Sequence, residues 1–459
     1  MIFDRIKLAQ FLDHLIENFL LEVTHFFIRI LILLFKGDSK SNGQRKPTNH
    51  KMGICIPILP DLSHTWMYRL ALDIKERFPD CALLAFIKGE RDIIHPEART
   101  LLEFAEFIPQ TSRRGLLIRI LKACFLYPRR TVRAIRLFWP GEAEHPYFFL
   151  EKNAEDNFLN PVHGFLVLDW IKKHRIGHLH GLGATFNSTS AIVAATLAEI
   201  PFSLSSIVDF EYPYPYKNYA KKIELAQFVV VSTEYCKKQV MKITSERYSN
   251  KIHTIYLCVS LRYPESPSPK FEIKGRPLIF ACGRLTAKKG YLYLIRAMGR
   301  VAQKIPDLRC IIIGSGKEEE KLREEIITLS LGENVQILPP ISNDRLKSYY
   351  AQDILLVQPS VFDPEEIRDG IPSVIFEAMA YGRPIIGTNF SGIPEVVMDG
   401  YNGFIIAPQE TDALARAIGT LSLDSSLRKE MGEHSKALFK QKFNSEHQFQ
   451  RLTQIFCSG

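Results

Sequence analysis

The chain has 459 residues and 59 Lys and Arg against 50 Asp and Glu, a formal net charge of +9. At ~100–200 residues per domain, that length divides into two or three domains, each large enough to bury a core without a disulfide or metal staple. Hydrophobic content of 46% and charged content of 24%, with 26 Gly and 26 Pro, exclude a mostly disordered chain, a multi-span membrane protein and a collagen-like repeat.

In chain order, residues 18–35 are apolar but interrupted by Glu22, His25 and Arg29. The run after Arg29 is six residues, far short of the ~20 needed to span a bilayer. No small-residue cleavage site follows, so a signal peptide is not expected. The segment reads either as an amphipathic helix on a membrane or as a helix packed on the protein itself. Residues 37–51 are polar and read as a linker.

From Met52 onward, short apolar runs alternate with helical patterns. The runs at 53–59, 81–87, 176–182, 228–233 and 252–259 are continuous, as suits strands buried on both faces of a parallel sheet. A Pro-rich stretch at 265–277 reads as a linker. The alternation then restarts at 277–283, 309–316, 334–340, 354–360, 383–389 and 403–408. Two such halves predict two doubly wound α/β domains with Rossmann-like parallel sheets. The expected division is a helix and linker over 1–51, one α/β domain over 52–264, a second over 277–442, and a C-terminal helix over 443–459 that packs back on the first domain. The eight cysteines (55, 81, 124, 236, 258, 282, 310 and 457) form no C-x-x-C pair and mostly sit in apolar runs, as buried free thiols in a reducing compartment would.

In doubly wound sheets, ligands bind beyond the carboxyl ends of the strands, so motifs just after strands carry the chemistry. "CGRLTAKKG", residues 282–290, puts Gly283, Arg284 and Lys289 on one loop before a helix, where two cations and free amides suit a diphosphate. A solvated basic turn is the plain alternative. "GSG" brings Gly314 and Gly316 to the end of another strand, where glycine permits close backbone approach to a ligand and also serves an ordinary strand-to-helix turn. In residues 368–397, Asp369 and Glu377 stand eight apart, and Gly370, Ile371, Pro372 and Ser373 open a helix between them. Carboxylates accept bidentately from vicinal hydroxyls, and the amides at 370–373 can meet an anion. A helix-terminal charge explains Asp369 but leaves Glu377 unexplained.

Taken together, "GRLTAKKG", "IIIGSG", "DGIPSVIFEAMAYGRPII", "SGIPEVV" and "DGYNGFII" resemble the donor half of retaining glycosyltransferase family 4, which has a two-domain GT-B fold, over roughly residues 277–440. The flavour is that of bacterial exopolysaccharide enzymes of the colanic-acid and amylovoran type. The resemblance implies that Glu377 holds the ribose hydroxyls and Asp369 faces the donor sugar. It implies that Arg284 and Lys289 neutralise the diphosphate in place of a metal, with Gly283, Gly314 and Gly316 also lining the donor site. Gly370, Ile371, Pro372 and Ser373 supply contacts to the donor, and residues 338–341 flank the base. No metal or other cofactor is expected beyond a nucleotide-sugar co-substrate, UDP-linked by preference. The resemblance further implies front-face attack with retention, without a covalent intermediate.

The first half resembles the family more weakly. "PILPDLSHTWMYR" resembles the family's first strand and loop and supplies Ser63 and His64, "HLHGLG" supplies His178 and His180, and "IPFSLSSIVDFEYPYPY", residues 200–216, supplies Asp209 and Glu211, all expected on the acceptor side. His178 and His180 share one strand face, open to structural placement, acceptor contact or, without a third ligand, metal binding. Ile207 stands where relatives carry a histidine, and His64 where they often carry an acid. Asp209 or Glu211 is the expected substitute; otherwise the substrates differ or activity is lost.

Residues 111–136 contain eight Lys or Arg and no acid, interleaved with apolar residues, and read as a surface for anionic headgroups or as one solvated helix face. The whole charge excess lies before residue 271, where 36 basic residues meet 27 acidic ones; from 271 on, 23 meet 23. Without a nucleic-acid-binding motif, nucleic acid is not an expected partner. The expectation is therefore a hexosyltransferase of polysaccharide biosynthesis, peripheral at the cytoplasmic face of the plasma membrane. It would act on a glycan or polyprenyl-diphosphate-linked acceptor and touch the membrane through 111–136 and through 1–36. A nucleotide-sugar-binding subunit without turnover and a GT-B epimerase are the rivals.

Overall fold

The computed structural model describes residues 51–60, 65–89, 96–111, 113–138, 154–206, 219–256, 276–363 and 370–458. The helix and linker expected over 1–50, most of the Pro-rich linker, Ser63, His64, Ile207, Asp209, Glu211 and Asp369 lie outside these residues.

Two parallel sheets form the molecule. The first contains β1 (Lys51–Leu59), β2 (Ala82–Lys88), β3 (Ala105–Phe107), β4 (Ile176–Leu182), β5 (Phe202–Ser206), β6 (Val229–Val231) and β7 (Ile252–Thr254), in the order β3-β2-β1-β4-β5-β6-β7. The second contains β8 (Leu278–Cys282), β9 (Cys310–Ile313), β10 (Val335–Leu338), β11 (Ile354–Gln358), β12 (Ile385–Thr388) and β13 (Gly403–Ile406), in the order β10-β9-β8-β11-β12-β13. Every described ladder is parallel. β3, the short half-buried segment "AEF", has no apolar run to announce it.

Apolar alternation in β1 shows why these runs become central strands. Ile54 and Ile56 are fully buried in the cluster on one sheet face, and Cys55 is buried on the other. Gly53 makes room on that second face: a Cβ there would stand 2.8 Å from Ile176 and Leu179 and 2.9 Å from Trp170. Trp170 belongs to the long helix α5 (Ala154–His174), which packs on α6 (Phe186–Ala198). Close approach of these helices is set at Gly164, where a Cβ would meet Val193 at 2.5 Å.

The remaining helices of the first half are α1 (Thr65–Arg77), α2 (Pro96–Leu102), α3 (Arg113–Leu126), α4 (Pro128–Phe138), α7 (Tyr219–Leu225) and α8 (Glu234–Ile243). Those of the second are α9 (Tyr291–Ala302), α10 (Glu319–Thr328), α11 (Asn343–Tyr350), α12 (Ser373–Ala380), α13 (Thr411–Leu423) and α14 (Ser425–Leu438).

The chain then leaves the second sheet. Phe439 and Phe443, in a π-helical turn, pack into its core, and α15 (Ser445–Ser458) runs onto the first sheet. There Leu452 and Phe456 join the core of β1 and α1, Arg77 pairs with Glu446, and Gln448 Oε1 accepts from Tyr256 N at 3.0 Å. Phe456 meets Phe228 edge-on at 5.0 Å between centroids and Phe78 at 5.8 Å. Truncating a buried phenylalanine costs about 3–5 kcal/mol. Phe456→Ala should therefore lower the first-sheet unfolding transition in urea by that order while leaving the second-sheet transition in place.

Candidate functional site

In the second sheet the strand order reverses between β8 and β11, so the loops after these two strands diverge and leave a crevice at the carboxyl edge. The loop after β8 carries Gly283 and Arg284, then a 3-10 turn over Ala287–Lys289, then Gly290 at the head of α9. Arg284 is exposed at the edge, while Lys289 is 9% exposed. The two cations predicted to act together thus occupy different depths.

Backbone contacts lock this loop to its neighbours. Gly283 N donates to Ile313 O at 2.9 Å and Leu285 N to Ser315 O at 2.8 Å. A Cβ on Gly314 would stand 1.9 Å from Gly283 O, and one on Gly316, at φ +158°, 2.4 Å from Leu285 O. The "GSG" glycines are therefore required by loop-on-loop packing. Gly314 N also donates to Leu338 O at 3.0 Å, which draws residues 338–341 to the same edge. On the other side Val361 N donates to Lys288 O at 2.8 Å, and Gly290, at φ +70°, has its missing Cβ 1.8 Å from Pro359 O.

Across the crevice, α12 begins at Ser373 with Pro372 as its N-cap, so Pro372 stands one residue outside the helix rather than in its first turn. Gly370 O accepts from Gly392 N at 3.1 Å, which ties this loop to the turn after β12. Glu377 lies in the second turn of α12, half-buried. Its carboxylate acts on groups beneath β8. The Cys282 thiol is pushed up to about 12 by burial and then by Glu377, with Lys289 acting the other way. Burial, then Glu377 and Cys282, push the Tyr350 phenol well up. Glu377, Lys289, Cys282 and Tyr350 therefore share one electrostatic neighbourhood. Tyr291 joins it: a Cβ on Gly283 would stand 2.9 Å from its hydroxyl and 3.6 Å from Lys289 Nζ. Sequence reading missed Tyr291, since a tyrosine opening an apolar helix looks like core.

A buried lysine and a half-buried carboxylate that act on the same thiol can hold an anionic group and a pair of hydroxyls together. Among the described residues no group of three or more His, Cys, Asp or Glu is arranged to hold a metal.

His178 and His180 lie in a different place from the acceptor edge considered for them. His180 is fully buried, its Nδ1 2.7 Å from Ser203 Oγ and its Nε2 2.8 Å from Ser205 Oγ; His178 Nε2 is 2.6 Å from Ser203 Oγ. Phe228 stacks on both rings and Phe456 meets both edge-on. Three of their four ring nitrogens meet serine hydroxyls within the sheet, which fits structural placement, one of the readings open to them.

Burial holds His178 at about 4 and His180 at about 3, against an ordinary value of 6.5. The fold therefore contains neutral rings, and the unfolded chain gains protons first as pH falls. Their stabilisation is complete above about pH 6.5 and is lost at roughly 1.4 kcal/mol per pH unit for each ring as pH drops toward 4. Urea midpoints between pH 7.5 and 5 should fall more steeply for the wild type than for His178→Asn/His180→Gln; equal slopes would contradict neutral burial.

The basic segment folds as α3 and α4. One side of α3 packs Leu116, Leu117, Ile120 and Ala123 inward, whereas Ile118, Phe125 and Leu126 are 64%, 86% and 49% exposed on the opposite side. Lys122 lies exposed on that same outer face, and Arg129 is exposed at the start of α4. Two of the basic residues are turned to neighbouring elements: Arg119 pairs with Asp169 at 3.1 Å and Arg130 with Glu199 at 2.6 Å. Among the described residues no helix is long and apolar enough to cross a membrane.

Two parallel-sheet domains whose carboxyl edges meet define the GT-B class of fold. Anabaena HepE in complex with UDP superposes with a TM-score of 0.65 at 17% identity, over 89% of this chain and 100% of that one. Residues 264–438 match the family model described as glycosyl transferases group 1. An uncharacterised glycosyltransferase of Haemophilus influenzae is 26% identical over 249 residues, 53% of this chain and 67% of that protein. The amylovoran biosynthesis glycosyltransferase AmsK of Erwinia amylovora is 28% identical over 192 residues, 40% of this chain and 47% of AmsK. The chain likewise spans less than half the length of further glycosyltransferases that it matches.

Proposed function

We propose that this chain is a retaining glycosyltransferase that moves a hexosyl group from a nucleoside-diphosphate sugar, UDP-linked by preference, to a glycan or polyprenyl-diphosphate-linked acceptor. The observation that carries the reading is Lys289, almost wholly buried at the switch point of a parallel sheet, where it and Glu377 both act on the Cys282 thiol. The group 1 match over the same residues supports it, as does the likeness to a fold that holds UDP in HepE.

In this reading Lys289 meets the diphosphate from within the loop and Arg284 meets it from the rim. Together they offset the charge that develops on the leaving group, with no metal required. Glu377 accepts from the ribose hydroxyls, the 370–373 backbone meets the donor, residues 338–341 flank the base, and Asp369 faces the sugar. Ser63, His64, Asp209 and Glu211 are assigned to the acceptor side. A positioned electrostatic group in such a site is worth about 10²–10³ in rate. Lys289→Met and Glu377→Gln should each lower transfer from radiolabelled nucleotide sugar to membrane extract by that order while keeping a cooperative melt. Absence of both transfer and donor hydrolysis in the wild type, across the common donors, would refute the reaction.

Ile207, where similar enzymes carry histidine, favours one rival: a subunit that binds nucleotide sugar without turning it over. Calorimetric binding with no transfer to the native acceptor would identify it.

The outer face of α3 supports a peripheral position on the inner face of the plasma membrane. Three exposed apolar side chains with Lys122 among them, followed by Arg129 at the start of α4, match an anionic bilayer, the apolar groups entering the interface and the cations meeting headgroups. Because these side chains are exposed, Ile118→Ser/Phe125→Glu/Leu126→Ser should leave stability nearly unchanged. It should weaken sedimentation with phosphatidylglycerol vesicles about tenfold or more, at about 1.4 kcal/mol per tenfold. Unchanged binding would move the contact elsewhere.

A further inference from the structure

The amino end of α8 in the first domain is capped by a residue of the second. Thr233 is the N-cap, and its Oγ1 accepts from Cys236 N at 2.9 Å. The two preceding amides have no such local acceptor. Glu395, in the 3-10 turn after β12, supplies both: Oε2 accepts from Glu234 N at 2.8 Å and Oε1 from Tyr235 N at 2.7 Å. Oε2 also accepts from the Tyr256 hydroxyl at 2.9 Å. An anionic acceptor at a helix amino end is favoured both by the unsatisfied N–H groups and by the helix dipole. One carboxylate thus closes three first-domain hydrogen bonds across the interface.

The same turn is tied to the donor loop. Glu395 N donates to Gly392 O at 3.0 Å, and Gly392 N donates to Gly370 O at 3.1 Å. Gly392 sits where no side chain fits: a Cβ would stand 2.7 Å from Thr233 Cγ2 and 2.8 Å from Ile371 Cγ1. The contacts therefore run without a gap from α8, through Glu395 and Gly392, to Gly370 and Ile371. Motion of α8 relative to the second sheet is felt at the loop assigned to the donor.

We propose that Glu395 is a positioning residue for transfer: by capping α8 it fixes the 370–373 loop against the first domain and so sets the separation of donor and acceptor edges. This role rests on the donor site assigned above. It takes no part in bond making, and the diphosphate and ribose contacts assigned to Arg284, Lys289 and Glu377 do not run through it. An error of about 1 Å in placing reacting groups costs on the order of 10²-fold in rate, so the signature is a fall in kcat without a loss of nucleotide affinity.

The test pairs Glu395→Ala with Tyr256→Phe, which removes one of the three bonds without changing charge. Hydrogen–deuterium exchange of the peptide covering 233–236 reads the cap directly. Exchange should speed up in Glu395→Ala, with the second half of α8 unchanged. In transfer assays kcat should fall at least tenfold in Glu395→Ala and less in Tyr256→Phe, while donor KM and calorimetric UDP affinity stay within twofold. Unchanged exchange would overturn the cap. Faster exchange with unchanged kcat would reduce Glu395 to interdomain adhesion, and a parallel loss of UDP affinity would place it in the nucleotide site instead; either overturns positioning. A wild type that transfers no sugar would remove the reaction and the positioning role together, yet the exchange difference would still show whether Glu395 holds α8.

Discussion

Parallel pairing is the constraint on which the rest of this molecule depends. When every strand in a sheet runs the same way, every strand-to-helix loop opens on one edge, and helix amino ends gather there. The second sheet exploits this at the reversal between β8 and β11. The loops after β8 and β9 are joined to each other and to the ends of β10 and β11 by main-chain hydrogen bonds. Three glycines lose their side chains to those approaches, Gly314, Gly316 and Gly290. The result is a rigid rim within which Lys289 is buried against Gly283.

Rigidity within each sheet makes the junction between them decisive. Among the described residues, the C-terminal chain and Glu395 both cross it. The chain itself passes through Phe443 and carries α15 onto the first sheet, where Phe456 covers His178 and His180. Glu395 crosses in the opposite sense, as a side chain from the second domain onto α8. The first is a hydrophobic staple and resists separation; the second is directional and polar, suited to fixing an angle. Tyr256 belongs to both, since its ring meets Phe443 edge-on at 4.9 Å and its hydroxyl meets Glu395.

Much of the fold was legible because buried parallel strands leave long apolar runs. β4 coincides with its predicted run at 176–182, and most other described strands fall inside or within a residue of theirs. β3 escaped because a three-residue edge strand buries too little to leave such a run. The candidate site was legible in part. Glycines and cations after strands drew attention to 282–290 and 314–316, but their spacing carried no information on depth, so Arg284 and Lys289 looked equivalent. His178 and His180 stayed ambiguous for a related reason: two histidines on one strand face look the same whether that face is covered or open.

Sequence by itself determined the order of elements, the division into two α/β halves and the concentration of positive charge in the first, because these follow from local periodicity and composition. Only the tertiary structure decided which lysine is buried, which apolar residues of α3 remain outside, and that a glutamate after β12 completes a helix some 160 residues earlier in the chain. The physical reason is that burial and capping are relations between distant segments. A side chain's chemistry is written in its own residue, but the partner that gives it a role is supplied by whatever the fold brings against it.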